Sequence, residues 1–154
     1  MFVIGIDPDL RKSGMALIDT TGKKQIIKLG VMKFHALEIF LLETWKTALR
    51  QKSDLIVVIE AGWLNPVANY HTNDAKGGAY SSRVMQHISG STGRNEAVGM
   101  LLAEYCGEKG IPYKLFRPNR NTPKWNNREF KMITGWSGTS NQEERDAVRA
   151  AWMA

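Results

Sequence analysis

Apolar and polar positions along the chain follow two periods, and the places where one gives way to the other outline a fold. Phe2 to Asp7 is a short apolar run that ends on an acid and reads as a strand. Met15 to Asp19 reads as its hairpin neighbour, Thr20, Thr21 and Gly22 form the next turn, and "KQIIKLGVM" supplies a third strand. From His35 to Gln51 the period becomes helical, with Leu37, Leu41, Trp45 and Ala48 or Leu49 on one side. Residues 54 to 61, "DLIVVIEA", are continuously apolar, as in a strand covered on both faces. A helix before such a strand implies a crossover and a partly parallel sheet.

Residues 62 to 92 are punctuated by Gly, Asn and Ser, and predict mostly loop with a short helix around Tyr80 to Ile88. Ala97, Val98, Leu101, Leu102 and Tyr105 mark a helix that ends near Gly107 to Gly110, and "PYKLFRP" is the following strand. A short helix near Asn127 to Thr134, a turn at "GWSG" and a last helix from about Asn141 complete the series. The expected architecture is a single α/β domain over 1–154, a mixed sheet with helices on both faces.

Composition narrows the setting. The chain has 154 residues, 43% of them apolar, enough for one sizeable core. Its 21 Lys and Arg against 15 Asp and Glu give a formal charge of +6, which favours an anionic partner, nucleic acid first. Cys106 is the only cysteine, so there is no internal disulfide and no cysteine cluster for zinc. The opening "MFVIGID" lacks a basic leader, and no apolar run approaches the roughly 20 residues of a membrane span. These features predict a protein of a reducing, cytoplasmic setting without a membrane partner, and leave a bacterial, viral or organellar origin open.

The acids fall where elements end. Asp7 closes the first strand and Glu60 closes the apolar strand expected beside it. A carboxylate there faces solvent, caps a turn, or meets a cation, because a buried unpaired charge is costly. On the last helix, Glu143, Asp146, Ala147, Ala150 and Ala151 share one face, and the small alanines let that face approach the sheet closely. Ser140 with Glu143 fits an S-x-x-E capping box, which accounts for Glu143. It does not account for Asp146, one turn further in among alanines. Four acids on three elements, all oxygen donors, point to Mg²⁺ or Mn²⁺ over zinc. Two such ions ~4 Å apart can activate water and stabilise the leaving oxygen in phosphodiester cleavage.

"IGIDPDLRKSGMALI", "VVIEAG", "GRNEAVGMLLAEYCGEKGIP" and "NQEERDAVRAAW" resemble, in order and spacing, the RuvC-type Holliday junction resolvases of the ribonuclease-H-like nucleases, over about residues 2 to 152. The resemblance implies a ribonuclease-H-like mixed five-stranded sheet. It also implies a metal-dependent endonuclease, without an organic cofactor, that cuts two symmetric strands of a four-way DNA junction and leaves ligatable ends. By that resemblance Asp7, Glu60, Glu143 and Asp146 take the positions of the catalytic metal ligands, for two Mg²⁺ or Mn²⁺ ions per site in a homodimer. Three departures stand out. Asp9 replaces the usual glycine, Glu143 replaces the commoner aspartate, and the segment after Glu60 is longer than expected.

Lys109 to Lys131 holds seven basic residues and the single acid Glu129, a composition suited either to a solvated face or to tracking phosphates. Arg117, Arg120 and Lys124 are the leading DNA contacts, with Arg128 and Lys131 beside them. Lys76, Arg83 and Arg94 in the middle segment also point to the junction, where Tyr70 and His71 would probe its centre. Trp125 and Trp136 read as core or dimer residues. The "KGG" and "GSTG" glycines lack the lysine and hydroxyl order of a phosphate loop. A related nuclease for other branched or hybrid nucleic acids, and a non-catalytic junction-binding protein, are the rival readings. A sugar kinase or actin-like ATPase would need a second nucleotide-binding half.

Overall fold

The computed structural model describes residues 1–65, 80–119 and 123–153. Strands β1 (Phe2–Asp7), β2 (Ser13–Asp19) and β3 (Gln25–Met32) form an antiparallel meander, followed by helix α1 (Phe34–Arg50). Strand β4 (Leu55–Glu60) returns parallel to β1, with Ile4 opposite Val57 and Ile6 opposite Ile59. A 3-10 turn (Gly62–Leu64), helix α2 (Ser82–Lys109), strand β5 (Tyr113–Phe116) and helices α3 (Asn127–Thr134) and α4 (Gln142–Trp152) follow. β5 lies parallel to β4, so the sheet order is β3-β2-β1-β4-β5. This is the expected mixed five-stranded sheet.

Side chains alternate across the sheet with period two, and the two faces bury different residues. Ile4, Ile6, Val57 and Ile59 pack with Leu37 and Leu41 of α1 and Val98 and Leu102 of α2. Val3 and Val58 face the other way, onto Phe130 of α3 and Ala147, Val148, Ala150 and Ala151 of α4. Full burial of each large aliphatic on the first face contributes about 1.5–3 kcal/mol. The second face gains its stability through close approach: a Cβ on Gly5 would overlap the Ala147 carbonyl oxygen and lie 2.8 Å from the Ala151 Cβ. A Cβ on Gly14 would overlap the Glu143 carbonyl. The backbone of α4 therefore rests on β1 and β2.

Two local expectations change. The short helix expected around Tyr80 to Ile88 and the helix expected around Ala97 to Tyr105 are not separated by loop, because Ser82–Lys109 form one 28-residue helix. Its buried residues, Val98, Gly99, Leu102 and Cys106, all lie in the C-terminal half, so the N-terminal half carries no apolar period to read. The Ser81 hydroxyl caps its start by accepting from the Val84 amide, and Gly110, with φ of 66°, ends it. The capping box of α4 is shifted by one residue, with Asn141 as N-cap and Glu144 closing it. Glu143 is thus left without a capping duty. Among the described residues no helix is long and apolar enough to cross a membrane.

Candidate active site

β1 and β4 are parallel and end together, so their closing acids leave the sheet side by side. Asp7 has the parity of Val3 and Gly5, and Glu60 that of Val58; both therefore belong to the α4 face. The contact of Glu143 with Gly14 sets the start of α4 beside the end of β1, because Gly14 pairs with Asp7. One turn along the helix, Asp146 is 1% exposed. Thus small residues at 5, 14, 147 and 151 bring a helix acid to two strand acids.

The three carboxylates feel one another. Burial pushes the Asp7 carboxyl well above the usual carboxylate range, and the charges of Glu60, Asp146 and Glu143 push it further, against the pull of Lys124. Burial and Asp146 likewise raise Glu60, while Lys124 and the buried Arg149 oppose them. Asp146 is held on both oxygens: Gln142 Nε2 donates to Oδ1 at 2.9 Å, and Lys124 Nζ donates to Oδ2 as an ion pair. Burial works against the Lys124 charge, but its bond to Asp146 and the fields of Asp146, Asp7 and Glu60 outweigh this and raise its pKa. Arg145 braces the arrangement, donating from Nε to the Trp125 carbonyl (3.1 Å), from Nη1 to the Ser140 carbonyl (2.8 Å) and from Nη2 to Gln142 Oε1 (2.8 Å).

Among the described residues no group of three or more His, Cys, Asp or Glu side chains is arranged to hold a metal ion. The acids repel one another across the site instead, and the lysine ammonium supplies the positive charge that Asp146 needs. The donor chemistry still fits a hard divalent cation: the carboxylates are oxygen ligands, partly or fully buried, and their mutual repulsion is relieved by positive charge. Glu143 is exposed, and its charge reaches Asp7.

Asp7 and Glu60 open into a cleft of about 160 Å³, walled by Trp63 after β4 and by Thr92, Asn95 and Glu96 of α2. Sequence reading missed these wall residues, and also Gln142, Arg145 and Arg149. Arg149 is 4% exposed, and its Nε has no hydrogen-bond partner among the described residues. Asp9, one of the departures from the resembled family, is no free ligand: its carboxylate accepts from the amides of Arg11 (2.8 Å) and Lys12 (3.2 Å) and from Asn95 Nδ2 (3.0 Å).

Of the predicted DNA contacts, Arg83 and Arg94 are exposed on α2, Arg117 follows β5, and Arg128 and Lys131 are exposed on α3. Lys124 is turned to Asp146, with 63% of its side chain still exposed. Lys76, Arg120, Tyr70 and His71 lie outside the described residues. Trp125 and Trp136 pack against the α4-face core, as expected.

Comparison with solved structures decides the fold. Thermus thermophilus RuvC in complex with a Holliday junction substrate matches over 98% of this chain and 90% of its own, with 16% identity and a TM-score of 0.57. The chain has the RuvC fold. Thermus thermophilus RuvC matches in a second structure over 98% of this chain and 91% of its own, with 16% identity and a TM-score of 0.56. The fowlpox virus Holliday junction resolvase matches at 11% identity, with a TM-score of 0.46, over 99% of this chain and 97% of its own. No protein-family model and no curated protein matches the sequence.

Proposed function

We propose that this protein is a metal-dependent, structure-selective endodeoxyribonuclease that resolves four-way DNA junctions by paired phosphodiester hydrolysis. The observation that carries this reading is the gathering of Asp7, Glu60 and Asp146 at the ends of β1 and β4 under the start of α4, on a RuvC fold. The solved RuvC complex holds a Holliday junction substrate, and that chemistry is carried here to this chain.

Asp7, Glu60 and Asp146 would hold Mg²⁺ or Mn²⁺, with Glu143 ligating or orienting water at the exposed rim. When bound, the cations supply a polarised phosphate, an activated water and charge for the departing oxygen. A water oxygen would form the new bond to phosphorus as the bond to the bridging oxygen breaks, with a proton from the water passing to the departing oxygen and no covalent enzyme intermediate. With a cation held at Asp146, Lys124 would be released from that carboxylate and free to meet a DNA phosphate. Arg83, Arg94, Arg117, Arg128 and Lys131 are exposed cations that suit phosphate contacts on a branched substrate.

Two cuts need two sites, and a homodimer provides them. Met100 and Leu101 on α2 and Ile39 on α1 are exposed apolar residues at 48%, 52% and 52%, and a second copy would cover them. Cleavage assays with Mn²⁺ on a four-way junction, a three-way junction, an RNA–DNA hybrid and linear duplex test the reading. Preferred, symmetric cutting of the four-way junction is expected. Equal or better cutting of the hybrid would replace it with the related-nuclease reading, and tight junction binding without metal-dependent cutting would replace it with a binding protein.

A further inference from the structure

The turn between β1 and β2 is tied to α2 by a reciprocal pair of side chains. Asp9 Oδ2 accepts from Asn95 Nδ2 at 3.0 Å, and Asn95 Oδ1 accepts from the Leu10 amide at 3.0 Å. The other Asp9 oxygen is committed to the Arg11 and Lys12 amides, and the Asp9 amide donates to the Oγ of the buried Ser13 at 3.1 Å. The turn is therefore rigid on its own side and has one oxygen left to offer a neighbour.

The position of that neighbour matters. In α2 the buried residues begin at Val98, so the N-terminal half has little apolar anchorage to the body. Asn95 lies one turn before Val98, next to Glu96 and one turn after Thr92, and all three wall the cleft that contains Asp7 and Glu60. Trp63 braces the same region by lying on Gly99, where a Cβ would come within 2.7 Å of its ring. The tie to Asp9 is thus placed where the anchored half of α2 gives way to the free half.

We propose that Asp9 and Asn95 are positioning residues, a two-residue clamp that fixes the N-terminal half of α2 against the turn behind Asp7 and so sets the width of the catalytic cleft. The clamp itself rests on these hydrogen bonds; its effect on cutting rests on the nuclease reading above. An aspartate where the resembled family carries glycine then has a purpose apart from metal binding.

Exchanging the two side chains tests this. Asp9→Asn sets an amide NH₂ against the Asn95 NH₂, because its oxygen stays with the two turn amides. Asn95→Asp sets two carboxylates face to face. The double exchange, Asp9→Asn with Asn95→Asp, restores one donor and one acceptor and keeps the Leu10 bond. In the metal-free, DNA-free protein, amide exchange should quicken over residues 85 to 95 in each single variant and return to the parental rate in the double. Four-way-junction kcat should fall about tenfold in each single variant, with KM changed far less, and recover in the double. Unchanged exchange in the single variants, or a double variant no better than the worse single, would overturn the clamp. Recovered exchange without recovered cutting, in a parent that cuts, would overturn its positioning role. A parent that cuts no junction would remove the nuclease reading, while the exchange rates would still decide the clamp.

Discussion

The two faces of the sheet hold their helices by opposite means. On the α1 and α2 face, Ile4, Ile6, Val57, Ile59, Leu37, Leu41 and Leu102 interpose large side chains between helix and strand. On the α4 face, Gly5 and Gly14 leave no side chain, and the helix carbonyls of Ala147 and Glu143 sit directly over them. Large side chains can repack around a lost methyl group; a backbone lying on a backbone has no such freedom. The face that carries Asp7, Glu60 and Asp146 is the one built without slack. Stability can be drawn from either face, but the alignment of the acids comes from the second.

The largest expected effect separates charge from packing. Asp7→Asn should lower Mn²⁺-dependent junction cutting by roughly 10³-fold, the several kcal/mol that a metal site supplies. Thermal melting without metal should show the same variant to be no less stable than the parent, since it removes a buried, repelled carboxylate.

Next come paired packing variants. Gly5→Ala should cost about 3 kcal/mol in denaturant melts by driving α4 off the strands. Leu41→Ala on the opposite face should cost a similar ~3 kcal/mol. Cutting per folded molecule should collapse in Gly5→Ala and persist in Leu41→Ala. Equal losses of cutting in the two would erase the distinction between the faces.

Lys124→Met has a smaller, opposite effect. Without the ammonium on Asp146, Mn²⁺ affinity of the DNA-free protein measured by calorimetry should rise roughly tenfold. An unchanged affinity would mean that the lysine does not compete for that carboxylate.

The smallest effect is on pH. Asp7 and Glu60 are raised above their ordinary values of 3.8 and 4.5, so the folded state holds protons that the unfolded chain has already released. Their contribution to metal-free stability is complete below those ordinary values and is lost as pH rises through the higher folded pKa values. Metal-free melts across that window should therefore show a loss with rising pH that is smaller in Asp7→Asn and suppressed by saturating Mn²⁺.

Much of this was legible in the chain because periodicity reports burial. β1, β4 and α3 stand at their expected bounds to within a residue, and Asp7 and Glu60 end their strands as read. Asp146 was legible through its alanine neighbours, since a helix face of small residues has little reason to exist except close contact. The capping box was misplaced because "SNQEE" offers two overlapping boxes, Ser140 with Glu143 and Asn141 with Glu144, and only backbone geometry chooses between them. The first half of α2 was read only as a short separate helix around Tyr80 to Ile88, because its exposure leaves no apolar pattern to join it to the buried half. Lys124 was read as a DNA contact because nothing local ties it to an acid 22 residues away. Asn95 was missed for the same reason, its partner being 86 residues off.

The most direct test of the α4 face as a metal-dependent catalytic surface is junction cutting by the parent and by Asp146→Asn in Mn²⁺, with four-way-junction binding measured in parallel. The parent should cut two symmetric strands, and the variant should bind the junction with similar affinity while its cutting falls by roughly 10³-fold. Undiminished cutting by Asp146→Asn would take the buried acid out of the site and contradict the account.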